Sequence, residues 1–405
     1  MGERSDKSDL VLVGGGIIAL AIAFELLERG RSVVVLERDR VGAGASTVAA
    51  GMLAPTSEAM VEHPLLVGFG LDSLRRYPDF VSRVERVSGI PCGYRRDGTL
   101  WVGLHQDHER ELRRLHAVQQ ERGLVADWLS GAEVLELEPR LTGRTVCGLF
   151  VRGDHQVDST ATVASLARAV ERRGGTIATG HTVESVRPAA DGGLVVAGEL
   201  RAADGVEPFE LRSRAAVIAA GAWSSASIES PAREIGVRPV KGQIVRLAGE
   251  ELIRHVLFTP DVYVVPRRGG ELIVGGTMEE QGFDGAPRAW AVKELLRRAF
   301  ELLPGIDEME ICSLPVSFRP AVRDHMPVIG PTGTRELYVA TGHHRNGILL
   351  APATAHYVAE MIVTGVVPSA VAPFTMDRDA LRGGGARPAA AHRSERGRAP
   401  EPERP

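Results

Sequence analysis

Residues Asp9 to Glu37, DLVLVGGGIIALAIAFELLERGRSVVVLE, constrain this chain more than any other stretch. Asp9 to Val13 is a short apolar run, followed at once by Gly14, Gly15 and Gly16, with Ala19 closing a G-x-G-x-x-A pattern. Ile17 to Arg29 carries apolar residues at helical spacing and stops at Gly30, and Ser32 to Leu36 is a second apolar run ending in Glu37. Strand, glycine turn, helix, strand and acid in that order make a parallel α/β unit with a dinucleotide site. Gly14 permits the tight turn, Gly16 lets the backbone approach a pyrophosphate, and Ala19 lets helix and strand pack closely. The helix N-terminus offers unpaired N–H groups and a partial positive charge to phosphate. Glu37 is placed to accept from ribose hydroxyls and disfavours a 2′-phosphate. A glycine-rich turn without such a site leaves Glu37 unexplained. The fingerprint alone is shared by FAD and NAD sites.

The 405 residues suffice for two domains. Charged residues make up 25% and the net charge is −4, which carries no nucleic-acid footprint. Cys92, Cys147 and Cys312 are few, odd in number and widely spaced. They point to a reducing compartment, with neither a disulfide framework nor a cysteine metal site. The first eight residues are polar and leave no room for a signal peptide, and no apolar run reads as a membrane span. The expectation is a soluble, cytoplasmic protein.

After Glu37, the run Arg38 to Glu58 is full of small residues. It reads either as a surface loop or as backbone that must approach a planar ligand; directly after the acid, it suits a cofactor that continues past the pyrophosphate into an isoalloxazine. Helices are expected over Pro64 to Gly89, His105 to Arg122, Leu129 to Leu137, Thr160 to Arg173 (capped by Asp158 or Ser159), Arg288 to Leu303 and Ile348 to Val363. Strands are expected over Gly98 to Gly103, Thr176 to Val186 and Glu310 to Arg319, with a hairpin of Leu194 to Val196 and Phe209 to Leu211. RAAVIAAGAW reads as a separate buried strand running into small residues, and YVVP and ELIVGG as a hairpin about Arg267-Arg268-Gly269-Gly270. Leu337 to Thr341 with GHHRNG is a second strand–glycine turn–helix unit, whose helix N-terminus suits another negative charge. From Asp379 the composition shifts to Arg, Pro, Ala and Gly, as in a disordered tail.

Taken together, GGGIIALAIAFEL, ASTVAAGMLAPTSE, VYVVPRRGGELIVGGTME, SFRPAVRDHMPVIG and above all GHHRNGILLAPATA resemble the FAD-dependent amine oxidases of the D-amino-acid oxidase superfamily, within it the glycine oxidases of thiazole biosynthesis. The resemblance covers about residues 9 to 375. It implies an α/β fold: a Rossmann-type FAD-binding domain from residues 8–87, 155–228 and 322–378, and an α+β, antiparallel-sheet substrate domain from 88–154 and 229–321. Residues 379–405 are left to the tail. The resemblance places Gly14, Gly16, Ile17, Ile18, Glu37 and Arg38 on FAD, with Ala45, Ser46, Ala50, Gly51 and Met52. Val183 would touch the adenine through its backbone, and His343, His344, Arg345, Asn346, Gly347, Ile348 and Leu349 would wrap the flavin ring. Arg319 would bind the substrate carboxylate, with Tyr263, Arg345, Met278 and Met52 around it. Asp261 stands where relatives often carry His. Relatives with covalent flavin hold it through a Cys close to the position of Arg319; Cys312 is seven residues upstream, so FAD is expected to be non-covalent. The partners implied are a small amino acid and O2, with a homo-oligomer, tetrameric by analogy, and a thiazole synthase as a possible partner.

Read without the resemblance, Arg319 beside Pro320 is equally a surface arginine and Tyr263 a core tyrosine. As an anchor, Arg319 suits a carboxylate because a guanidinium grips it with two parallel bonds. His343 and His344, in a turn with no carboxylate cluster, read as structural or flavin-contacting, and no metal is expected. The expected reaction is oxidative deamination of glycine, sarcosine or small D-amino acids to a 2-oxo acid, ammonia and H2O2. The alternatives are a D-amino-acid, sarcosine or proline dehydrogenase with a non-oxygen acceptor, an NAD-dependent dehydrogenase, and a flavin-binding protein without turnover.

Overall fold

A computed structural model describes residues 7–59, 62–202, 204–225, 229–378 and 381. Apart from Leu381, the tail expected over 379–405 lies outside the described residues. Two large sheets dominate. The first runs in the order Val328–Pro331, Leu337–Thr341, Gly205–Ile218, Lys7–Val13, Val33–Leu36, Thr176–Ala178. Its centre is parallel, with Leu10 paired to both Ala215 and Val33. Leu194–Ala202 and His181–Pro188 add an antiparallel flap. The second sheet has nine strands, all antiparallel to their neighbours except Val256–Phe258 beside Thr99–Gly103.

Several boundaries differ from the sequence expectation. Thr176 to Val186 is two strands, Thr176–Ala178 and His181–Pro188, because the chain turns at Gly180. The hairpin is far longer than read, and its return strand Gly205–Ile218 continues into the buried RAAVI run. The polar Arg212 to Arg214 hid this continuity; the strand passes from a solvated flap into the sheet centre. Glu310 to Arg319 is also two strands, Glu310–Ser313 and Val316–Ala321, pairing with successive halves of Arg238–Ala248. Leu129 to Leu137 begins as a strand, Asp127–Ser130, before the helix Gly131–Leu137. That helix starts in a capping box, Ser130 with Glu133, which satisfies two end donors.

The helix Ile17–Glu28 is buried on nearly every side between the first sheet and the helices Ser159–Arg172 and Gly347–Thr364. A helix so enclosed must be apolar all round, which is why IIALAIAFELL shows little amphipathic contrast. Asp158 caps Ser159–Arg172 through its side chain on the Ala161 N–H, at 2.9 Å. Pro352 lies inside Gly347–Thr364 and offers no N–H to the carbonyl of Ile348. The Tyr77 hydroxyl donates to that carbonyl instead, and Ser73 Oγ donates to the Leu349 carbonyl at 2.6 Å. These bonds from the long helix Pro64–Ser88 fix the N-terminus of Gly347–Thr364 over the cleft described next. The 18 residues of Gly347–Thr364, with a mean hydropathy of 1.3, are long and apolar enough to cross a membrane, but 61% of them are buried inside the protein, as in a core helix.

Candidate active site

A continuous cleft, open to solvent at its mouth, runs from the fingerprint turn to the inner edge of the second sheet. At one end lie Gly14, Gly16, Ile17 and Ile18 with Glu37 and Arg38. Gly14 has φ +107, and a Cβ there would lie 2.7 Å from the Ala219 carbonyl. Glu37 uses both carboxylate oxygens on the turn, accepting from Gly15 N–H at 2.6 Å and Asp39 N–H at 2.8 Å. It shapes the anion-facing loop as well as lining it. Ser46 Oγ accepts from Ile17 N–H at 3.0 Å and ties the small-residue loop to the helix N-terminus. Arg38 lies over the Trp223 ring, 4.5 Å from its centroid. Val183 closes the far wall.

The middle of the cleft is the backbone of Ala45, Ser46, Ala50, Gly51 and Met52, with Val48 and Ile244 as apolar walls. Facing it, His343, His344, Arg345, Gly347 and Ile348 come from the turn before Gly347–Thr364. Asn346 and Leu349 stand behind this layer rather than on it. Asn346 is buried and donates to Glu62 Oε1 at 3.1 Å, and Leu349 packs into the core. His343 Nε2 pairs with Thr354 Oγ1 at 3.1 Å, and burial pulls its pKa down to about 3. His344 sits at φ +47; burial, with His325 and Arg319 nearby, pulls it to about 2. Both rings are therefore neutral at working pH. Among the described residues no group of three or more His, Cys, Asp or Glu converges as metal ligands would.

At the inner end stand Arg319 and Tyr263. Val240 pairs with Arg319 and Gly242 with Ser317, so the Arg319 side chain crosses over Gly242. A Cβ on Gly242 would lie 2.7 Å from Arg319 Cζ and 2.8 Å from Nη2. Tyr263 is directly opposite Gly275 on the neighbouring strand, and a Cβ on Gly276 would lie 2.9 Å from its hydroxyl and 3.4 Å from Arg319 Nη2. Glycines thus clear the space that the two side chains occupy. Arg319 Nη1 donates to the Thr277 carbonyl at 2.8 Å. Burial lowers the Arg319 pKa and raises that of the Tyr263 hydroxyl, each offset in part by the other.

Arg345 comes to the same end but is engaged by Glu58 in an ion pair, which with burial opposing raises its pKa. Glu62 is pushed up by burial and by Glu58. Met278 is 60% exposed and is absent from the cleft wall; its segment leaves the sheet for solvent just after Gly276. Asp261 faces away, accepting from His108 Nε2 at 3.0 Å. None of the three cysteines lines the cleft, and Cys312 is exposed on the edge strand.

Sequence reasoning missed Glu58, Gly242 and the stacking of Trp223. A glycine inside a strand is a signal of close approach, and Gly242 between Lys241 and Gln243 carried it. Nothing in the sequence links Glu58 to Arg345, 287 residues apart.

The cleft fits FAD by its own features: a glycine turn and helix N-terminus at one end, a groove cleared by small residues in the middle, and apolar walls beside a cationic end. The model of the FAD dependent oxidoreductases, DAO, matches residues 9–361. The chain is 33% identical over 377 residues to the glycine oxidase of Geobacillus kaustophilus, covering 92% of this chain and 97% of that one. It is 34% identical over 361 residues to the bifunctional protein ThiO/ThiG of Trichormus variabilis, covering 88% of this chain and 52% of that one. The crystal structure of the Geobacillus kaustophilus glycine oxidase superposes with a TM-score of 0.83 at 32% identity, over 92% of this chain and 99% of that one. With a family model spanning most of its length and a relative aligned almost end to end, this chain belongs to the FAD dependent oxidoreductases of the DAO family, and FAD is its cofactor.

Proposed function

We propose that this chain oxidises glycine, and with it sarcosine and small D-amino acids, to a 2-oxo acid, H2O2 and the amine set free, which is ammonia from glycine and D-amino acids and methylamine from sarcosine. The observation that carries the proposal is the Arg319 guanidinium, laid on Gly242 beside the Tyr263 hydroxyl in the wall of the FAD cleft. Similarity to glycine oxidases across nearly the whole chain supports the substrate class. Overall, glycine, O2 and water give glyoxylate, ammonia and H2O2.

Bound FAD supplies the two-electron acceptor that O2 restores. The residues of the chain bind and orient. Arg319 grips the substrate carboxylate through the nitrogen not committed to Thr277, a charge-assisted contact of roughly 1.5–3 kcal/mol. Tyr263, protonated because burial raises its pKa, donates to the same carboxylate. Glu58 holds Arg345 aside, so one cation rather than two meets a monocarboxylate. Val48, Ala50 and Ile244 leave an apolar space for Cα. The neutral His343 and His344 add no charge that would repel the substrate ammonium. Rejecting one extra methylene is worth only about 1–3 kcal/mol, so several small amino acids turn over.

The FAD is held without a covalent bond, and the cofactor and substrate domains follow the division at residues 88, 155, 229 and 322. Assembly as a homo-tetramer and delivery of product to a thiazole-forming enzyme belong to the same proposal; the ThiO/ThiG relative supports the second. The test is the visible spectrum of the anaerobic protein before and after glycine. Bleaching of the flavin band by glycine supports the proposal. Bleaching by sarcosine or D-alanine alone changes the substrate, and no bleaching by any of them ends it.

A further inference from the structure

The loop Thr47 to Gly51 passes along the cleft, and its carbonyl groups other than that of Val48 are taken by residues that do not line the cleft. Thr47 O accepts from Arg246 Nη2 at 2.8 Å and from Thr160 Oγ1 at 3.2 Å. Ala49 O accepts from Ser159 Oγ, Ala50 O from Arg267 Nη2, and Gly51 O from Val157 N–H at 2.9 Å. In a trans peptide the N–H points opposite to the C=O. Capturing the Ala50 carbonyl from outside therefore turns the Gly51 N–H towards the cleft that Gly51 lines. Among the described residues this N–H has no protein acceptor. Only glycine fits here, because φ is +75 and a Cβ would run into the Val157 carbonyl and within 2.9 Å of Arg267 Nη2.

Arg267 differs from the arginines around it. Arg246 is paired with Glu271 at 3.0 Å, and Arg95 with Asp97 at 2.7 Å. Arg267 is 8% exposed, and among the described residues no carboxylate stands within ion-pair distance of it, although Asp158 and Glu271 lie near enough to favour its charge. Besides Ala50 O, its partners are Gln156 Oε1 at 2.9 Å and its neighbour Pro266 O at 3.4 Å. Burial pulls its pKa down to about 10, still well above neutrality, so the charge persists. A buried cation with only neutral acceptors is costly to keep. A tie between hairpin and loop alone does not require it, since a neutral amide could make such bonds.

We infer that Arg267 is a positioning residue whose buried charge polarises the Ala50–Gly51 peptide, making the Gly51 N–H a strong donor to bound FAD and favouring the reduced cofactor over the oxidised one. Hydrogen bonds in a chain strengthen one another. A cation on the carbonyl sharpens the donor at the other end of the same peptide, and that donor gains most where the ligand carries more negative charge. The inference rests on the FAD cleft and not on the choice of glycine as substrate.

The test is the ratio of affinities for reduced and oxidised FAD, read as the midpoint potential of the holoenzyme by dye equilibration under anaerobic conditions, with no amino acid present. Arg267→Met is expected to lower that ratio about tenfold, which is about 30 mV for a two-electron couple. Arg267→Lys keeps a cation and is expected to stay within about threefold of the wild type. If Arg267→Met sheds FAD, the same ratio comes from titrating the apoprotein with oxidised and with reduced FAD. A lower melting temperature with an unchanged ratio means a merely structural role and overturns the inference, as does Arg267→Lys falling as far as Arg267→Met. Wild-type protein that holds FAD but ignores glycine ends the proposed substrate and leaves this inference standing.

Discussion

Gly242→Ala moves Arg319, the proposed carboxylate anchor, without touching its charge. The new Cβ would lie 2.7 Å from Arg319 Cζ and 2.8 Å from Nη2, inside any van der Waals contact, so the guanidinium must shift. On its other side the guanidinium is tied to the Thr277 carbonyl at 2.8 Å, so it cannot shift and keep both its bond and its aim. Losing one charge-assisted bond to the substrate is worth roughly 1.5–3 kcal/mol. At about 1.4 kcal/mol per tenfold, the glycine KM should rise about tenfold to about 150-fold. Because the anchor holds substrate and transition state alike, kcat should change much less. Overpacking should also cost stability, of the order of 1–3 kcal/mol, but FAD content should hold, since Gly242 lies at the substrate end of the cleft. The assay is O2 consumption against glycine on FAD-saturated protein, with a melting curve beside it and Arg319→Ala as the companion variant. A folded Gly242→Ala enzyme with a glycine KM within about twofold of the wild type would refute the anchor.

Tyr263→Phe should lower kcat/KM for glycine by about two- to about tenfold, the loss of one hydrogen bond of about 0.5–1.5 kcal/mol, and an unchanged value in steady-state kinetics would remove the hydroxyl from substrate binding. Phe283 stacks on Trp223 at 5.0 Å, and Trp223 in turn lies under Arg38, so Phe283→Ala should weaken FAD binding severalfold in a fluorescence titration while a glycine KM measured at saturating FAD stays put. Asp154 is wholly buried and raised to about 7, chiefly by burial. The folded state then holds a proton that the unfolded state has lost, so stability is full below about pH 4 and falls as pH rises to about 7. Asp154→Asn should therefore raise the melting temperature at pH 8 and not at pH 4, and equal shifts at both would contradict this. His343 acts in the opposite sense: lowered to about 3, it leaves the folded state neutral while the unfolded chain takes up a proton. Its contribution is complete above about pH 6.5 and is lost as pH falls towards 3, so His343→Asn should flatten the acid side of a melting-temperature profile.

The sequence alone carried the cofactor end of the molecule. Gly14, Gly16, Ile17 and Glu37 fall in one short stretch, and their roles are local: a turn, a helix N-terminus and the end of an adjacent parallel strand. Such features are set by spacing along the chain and survive any arrangement of the rest. The strand boundaries were less legible, because Gly205–Ile218 changes from solvated to buried part-way along and its polarity pattern changes with it. The proposed substrate end was visible as residue types, Arg319 and Tyr263, but not as a site. Its geometry depends on strand register, which sets Val240 against Arg319 and Tyr263 against Gly275, and on glycines whose missing side chains make the room. Tertiary structure alone decided that Glu58 occupies Arg345, that Met278 turns to solvent, and that Arg267 reaches the Ala50 carbonyl. These are contacts between segments far apart in sequence, and their free energies depend on burial and partners that no local pattern encodes.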